Sequence, residues 1–191
     1  ELVKALPRGL GELTVGVVGL GTIGLDVARG FHRMGARILY FDPAPRDPDG
    51  AAAIGAESTD LGTLLRSADV VTLHVPLLPA TRGLIGADEL ASMKPDAVLI
   101  QASRGGIVDE DALAAALSAG AIAGAAVDVY AEEPPAAGHT LFALDGDAAD
   151  RLILTPHIAG VTRQAWASLF RTAWDNVQRA VEGGAIRHRV Y

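Results

Sequence analysis

A chain of 191 residues has room for one domain with at most a small appendage. Half of its residues are hydrophobic and only a fifth charged, enough apolar surface for a sizeable core, which excludes a disordered chain. The 16 lysines and arginines are scattered among 23 acidic residues, and a net charge of −7 leaves no basic patch of the kind that nucleic-acid phosphates require.

The chain opens on Glu1-Leu2-Val3-Lys4, with no initiator methionine and no signal-peptide pattern, and so reads as a fragment, a processed product or a trimmed chain. Residues 14–19 read as a buried strand, 22–33 as the helix after it and 37–41 as a second strand. The Pro- and Gly-containing stretch 43–50 is a turn-rich loop. Residues 60–67 form a short helix that Thr59 or Asp60 caps, and 69–74 a third strand. A fourth strand falls at 97–101, and the Ala-rich helix 110–119 follows, with Asp109 as N-cap and Gly120 as stop. The fifth and sixth strands fall at 124–128 and 152–154, separated by a loop region at 134–150 with one helical turn near 141–144. A last helix covers 162–182 and ends at Gly183-Gly184. Several strands are near-continuous in Val, Ile, Leu and Ala, as strands covered on both faces are. Repeated strand–helix–strand order predicts an α/β fold around a doubly wound parallel sheet. No apolar run reaches the roughly 18 residues of a membrane-spanning helix. The absence of cysteine removes disulfides, thiolate metal sites and cysteine nucleophiles, and fits a reducing cytoplasm.

Gly19-Leu20-Gly21-Thr22-Ile23-Gly24 has the spacing G-x-G-x-x-G and stands where a strand gives way to a helix. Gly19 permits the tight turn, Gly21 lets the backbone approach a pyrophosphate, and Gly24 lets the helix lie close to the sheet. The helix start offers free N–H groups and a positive dipole end to phosphates. Asp42 ends the second strand 18 residues after Gly24, where a carboxylate binds both adenosine ribose hydroxyls and repels a 2′-phosphate. The expected cofactor is therefore NAD rather than NADP, with Arg46 near enough to soften the preference. The plainer alternative is a tight turn followed by a solvated aspartate.

Three polar clusters follow later strands. Gln101-Ala102-Ser103-Arg104-Gly105-Gly106 follows the fourth, Asp128-Val129-Tyr130-Ala131-Glu132-Glu133-Pro134 the fifth, and Thr155-Pro156-His157-Ile158-Ala159-Gly160 the sixth. In an open α/β sheet these positions share the ligand-binding edge. Hydride transfer to a carbonyl carbon needs a proton at the carbonyl oxygen, which His157 can supply, since imidazole titrates near neutrality. Glu133 can hydrogen-bond the far ring nitrogen, and Arg104 can clamp a carboxylate and polarise the neighbouring carbonyl. Asp128 stands where a side chain can meet a nicotinamide. Each has a bland alternative: a turn histidine after Thr-Pro, an arginine capping a helix or meeting solvent, a charged loop before two prolines.

The ordered series Leu73-His74-Val75-Pro76-Leu77, Thr81-Arg82-Gly83-Leu84-Ile85, Met93-Lys94-Pro95, Arg104-Gly105-Gly106-Ile107-Val108-Asp109-Glu110, Asp128-Val129-Tyr130, Glu133-Pro134 and Thr155 to Gly160 resembles the D-isomer-specific 2-hydroxyacid dehydrogenase family, over nearly the whole chain. The resemblance implies an NAD-dependent oxidoreductase acting on 2-keto and D-2-hydroxy acids, with Arg104 as the substrate-binding arginine, His157 as acid/base and Glu133 as its partner. It also implies cofactor contacts from Thr22, Ile23, Asp42, His74, Val75, Pro76, Thr81, Ala102, Ser103 and Asp128. The expected cofactor set further includes Gly19, Gly21, Gly24, Arg104, His157, Ala159 and Gly160. No metal, nucleic-acid or membrane partner is expected; a homodimer is.

Members of the family have two domains. The chain is accordingly expected to be the cofactor domain over 1–191, with a remnant of the inter-domain helix at 1–9, the start of the return at 185–191, and the catalytic domain largely absent. Thr22 departs from the arginine many relatives carry; its hydroxyl supplies no charge, which lowers the expected cofactor affinity by about 1–2 kcal/mol. Two alternative functions share the architecture: a dinucleotide-sensing corepressor acting through protein partners, and a bare nucleotide-binding module inactive alone.

Overall fold

A computed structural model describes residues 8–43, 45 and 47–187. The expected inter-domain remnant at 1–9 and the return at 185–191 fall mostly outside these residues, as does Arg46. The chain divides into two compact units, one ending at Pro156 and one beginning at His157.

The first unit is built on seven parallel strands: β1 (Thr14–Val18), β2 (Arg37–Phe41), β3 (Glu57–Ser58), β4 (Val70–Leu73), β5 (Val98–Gln101), β6 (Gly124–Val127) and β7 (Leu152–Leu154), in the order β3-β2-β1-β4-β5-β6-β7. The order reverses between β1 and β4, which is the switch point at which such sheets open a ligand crevice. The helices are α1 (Thr22–Arg33), α2 (Pro48–Ala52), α3 (Leu61–Ser67), α4 (Ala87–Ser92), α5 (Glu110–Ser118) and α6 (Gly146–Asp150).

Apolar strands buried on both faces produce two separate cores. One gathers Val15, Val17, Ile38 and Tyr40 with Leu25 and Ala28 of α1 and Ala51 of α2. The other gathers Val71, Leu73, Leu99 and Val127 with Leu64, Leu65, Leu90, Leu113 and Leu117 of α3, α4 and α5. Asp60 and Asp109 cap α3 and α5 as their sequence positions suggest: Asp60 accepts from the Thr63 amide, and Asp109 from those of Asp111 and Ala112. Gly120, at φ 67°, follows the end of α5.

At the edge away from the Gly-rich turn, Asp69 is 5% exposed and joins three segments. It accepts from the Thr14 amide at 2.7 Å, from Arg8 at 2.8 Å and from Lys94 at 3.1 Å. Burial opposes its charge, yet the Thr14 amide and the two cations outweigh burial and hold the carboxyl below its ordinary range. The folded-state pKa is thus below the unfolded one, so the stabilisation is present above about pH 4 and is lost as pH falls through the folded value. Asp69→Ala is expected to cost on the order of 2 kcal/mol at neutral pH and to flatten the fall of Tm below pH 4, read by thermal melts across pH.

The second unit contains α7 (Arg163–Val181). Thr162 caps it through the Ala165 amide, Trp166 and Phe170 stack one turn apart at 5.4 Å, and Asn176 holds the backbone of Arg187. No helix among the described residues is long and apolar enough to cross a membrane.

Candidate cofactor and substrate site

In-register pairing aligns the strand ends. Phe41, Val18, Leu73, Gln101, Val127 and Leu154 form one row across the sheet. The residues that follow them are Asp42, Gly19, His74, Ala102, Asp128 and Thr155. The candidate residues of the first unit thus leave the sheet side by side, as their order in the sequence predicts.

The Gly-rich turn is made by close backbone approach. Gly19 has φ 93°, and a Cβ on it would stand 2.7 Å from the His74 carbonyl. A Cβ on Gly24 would stand 2.0 Å from the Gly19 carbonyl, so α1 starts directly against the turn. Gly21 differs, because a Cβ there would meet nothing within 4 Å. Gly21 is the N-cap of α1, and no side chain caps the helix. The open space beside Gly21, at the uncapped start of a 12-residue helix, fits a pyrophosphate. Ile23, 70% exposed, adds a loose apolar surface there. One oxygen of Asp42 accepts from the Leu20 amide at 2.6 Å, which ties the carboxylate to the turn.

The loop after β4 is tied by its own side chains. The Thr81 hydroxyl donates to the Pro76 carbonyl at 2.6 Å and accepts from the Leu78 amide at 2.8 Å, so it shapes its own loop. The His74 ring lies 3.0 Å from the Thr72 hydroxyl, and burial pushes its pKa below the ordinary histidine range.

Beyond β5, Gln101 is a template for the next three residues. Only 2% exposed, it accepts from the Ser103 amide at 3.2 Å and from the Ser103 hydroxyl at 2.7 Å. Its amide donates to the Arg104 carbonyl at 2.9 Å. Arg104 itself is exposed and donates to the Ser103 carbonyl at 2.6 Å. Beyond β6, Asp128 is buried and accepts from the Thr155 hydroxyl at 2.5 Å, tying β6 to β7. Glu133 is exposed, with one oxygen accepting from the Tyr130 amide at 3.0 Å. The Arg104 and Glu133 loops are pressed together: a Cβ on Gly105 would stand 1.7 Å from the Tyr130 carbonyl.

His157 opens the second unit at φ 55°, a left-handed conformation rare outside glycine but tolerated by His, Asn and Asp. Ile158, Ala159 and Gly160 follow it. Sequence reasoning assigned no role to Gln101 or to the pair Glu110 and His139, whose Oε2 and Nε2 are 2.8 Å apart. A polar side chain ending the apolar run Val98–Ile100 was the available signal for Gln101. For the pair, nothing local marks a contact between residues 29 positions apart.

A seven-stranded parallel sheet with this turn, this aspartate and this switch point defines a dinucleotide-binding Rossmann domain. Residues 3–159 match the family described as D-isomer specific 2-hydroxyacid dehydrogenase, NAD binding domain. The chain belongs to that family. It is 42% identical over 170 residues to a glycerate dehydrogenase of Methylorubrum extorquens, covering 89% of this chain and 50% of the relative. It is 44% identical over 168 residues to an (S)-sulfolactate dehydrogenase of Chromohalobacter salexigens, covering 88% and 53%. Among solved structures, an NAD-complexed D-isomer specific 2-hydroxyacid dehydrogenase from Lactobacillus delbrueckii ssp. bulgaricus superposes with a TM-score of 0.85 at 32% identity, covering 98% of this chain and 59% of that one. The chain spans about a third to a half of the length of the curated relatives it matches.

Proposed function

We propose that this chain is the cofactor-binding part of an oxidoreductase that interconverts 2-keto acids and D-2-hydroxy acids. The observation that carries the reading is the wedging of the Arg104 and Glu133 loops against each other, on adjacent strands of the edge that carries the dinucleotide turn. The named activities of relatives, on glycerate, sulfolactate and glyoxylate, all concern small acids with oxygen on the carbon next to an acid group or a carboxylate, which agrees with an arginine placed to receive that group.

When bound, NADH supplies the hydride that goes to the keto carbon. Arg104 holds the substrate carboxylate through a two-pronged, charge-assisted contact and draws electron density from the adjacent carbonyl. His157 gives its ring proton to the keto oxygen and takes it back in the reverse direction. Glu133 is the carboxylate that would partner the other ring nitrogen, selecting the tautomer and orienting the ring. Asp128, its carboxylate fixed by Thr155, would hold the nicotinamide end. Thr22, Ile23, Val75, Pro76, Thr81, Ala102, Ser103, Ala159 and Gly160 complete the cofactor surface, Thr81 by shaping its loop. Asp42 binds the ribose hydroxyls and disfavours a 2′-phosphate, so NAD is preferred over NADP. The working form is a cytoplasmic homodimer.

The test is NADH oxidation by the whole enzyme of which this chain is the cofactor-binding part, in the presence of a panel of 2-keto acids, with chiral analysis of the product. Turnover yielding the D-acid supports the reading. Saturable NADH binding without turnover of any 2-keto acid, or an L-product, contradicts it.

A further inference from the structure

Behind the Glu133 loop stand two groups that the proposed reaction does not use. Glu110 is the first residue of α5, and His139 precedes a 3-10 turn at Thr140–Ala143; their side chains are only 14% and 12% exposed. The Leu141 amide donates to His139 Nδ1 at 3.3 Å, which leaves the proton on Nε2. Nε2 donates to Glu110 Oε2 at 2.8 Å. The other oxygen, Oε1, accepts from the Ala131 amide at 2.7 Å.

Glu110 is not needed to start its helix, because Asp109 already serves as the cap of α5. Its carboxylate turns instead to a loop 21 positions away. A carboxylate so covered is costly unless its oxygens are satisfied, and here both are, one by the loop and one by His139. The neighbouring Tyr130 is held on the same side: its ring meets His139 edge-on at 5.7 Å and Phe142 at 6.2 Å, and its hydroxyl donates to the Thr155 carbonyl at 3.0 Å. Two successive amides of the loop therefore end on carboxylates. Tyr130 donates to Glu133, inside the loop, and Ala131 donates to Glu110, outside it. The first bond folds the loop on itself, and the second anchors it to α5. Because α5 follows directly from the Arg104 loop, the anchor sets one loop relative to the other.

We propose that Glu110 and His139 are positioning residues, a brace that sets where Glu133 stands with respect to Arg104. The proposal rests on the reading of Glu133 given above. Its test compares wild type, Glu110→Ala and the isosteric Glu110→Gln, each in the whole enzyme, in three measurements: NADH binding by fluorescence, steady-state reduction of glyoxylate, and amide hydrogen exchange at Ala131. Glu110→Ala is expected to speed exchange at Ala131 and lower kcat at least about tenfold, with NADH affinity and glyoxylate KM within about threefold, because small misplacements of a reacting group are paid in kcat. Glu110→Gln keeps an acceptor for Ala131 and is expected to restore kcat to within about threefold of wild type.

An unchanged kcat in Glu110→Ala, or a kcat and NADH affinity that fall together, would overturn the brace. So would a failure of Glu110→Gln to restore kcat. A wild-type protein that binds NADH but reduces no 2-keto acid fails the underlying reading instead, and takes the proposal with it.

Discussion

His157→Asn is expected to lower NADH-dependent reduction of a 2-keto acid about a thousandfold while leaving NADH affinity within a few-fold. Positioned acid/base catalysis contributes roughly 10²- to 10⁴-fold, and the amide of asparagine forms hydrogen bonds but transfers no proton at neutral pH. Asparagine is the informative replacement because His157 has φ 55°, a left-handed conformation that Asn adopts readily and most side chains do not. The loss then reports chemistry rather than backbone strain. Single-turnover measurements at saturating NADH separate the chemical step from cofactor binding. Activity within tenfold of wild type would remove His157 from the acid/base role.

Gly105→Ala is expected to have the second largest effect. The added methyl would stand 1.7 Å from the Tyr130 carbonyl oxygen, 2.0 Å from its carbon and 2.6 Å from the Ala131 nitrogen. All three are backbone atoms, so no rotamer change relieves the clash, and the two loops must separate. Overpacking of this kind costs about 3 kcal/mol. Displacing Arg104 relative to Glu133 by about 1 Å costs a further ~10²-fold in single-turnover rate. NADH affinity should fall far less, since the Gly-rich turn is built against His74 and not against this loop. Gly21→Ala is the converse control. Its methyl meets nothing within 4 Å, and Gly21 has φ −74°, which alanine accepts, so the fold should be unperturbed while NADH affinity drops at least about tenfold. A Gly21→Ala protein that binds NADH normally would show that the pyrophosphate does not approach there.

Much of this was legible in the sequence because its signals are local. The spacing Gly19, Gly21, Gly24, the acidic end of the second strand and the apolar runs at 14–19, 37–41, 69–74 and 97–101 each lie within one short window. Asp60 and Asp109 were readable as caps for the same reason. The elements that escaped are too short to show a period. α2, α4 and α6 have five or six residues each and β3 only two, so no apolar stripe forms. Pro48, which marked residues 43–50 as a loop, instead starts α2, where its missing N–H costs nothing and Asp47 supplies the cap.

For the candidate site, the sequence offers positions and not contacts. Arg104, Glu133 and Asp128 are candidates from their position after a strand. The template role of Gln101 depends on being buried beneath the loop it ties. The contact of Gly105 with Tyr130 and the reach of Glu110 to Ala131 depend on which strands are neighbours. Thr81 was marked as a cofactor contact by resemblance, and its hydroxyl is engaged within the 76–81 loop.

The central claim is that the crevice at the β1–β4 switch point binds NAD through the Gly21 turn and Asp42. A fluorescence titration of the protein with NADH and with NADPH, on wild type and Asp42→Ala, tests it most directly. Saturable NADH binding, at least about tenfold weaker NADPH binding and a clear loss of NADH affinity in Asp42→Ala are the expected results. No saturable binding of NADH, or binding of NADPH as tight as NADH with Asp42→Ala unchanged, would contradict the claim.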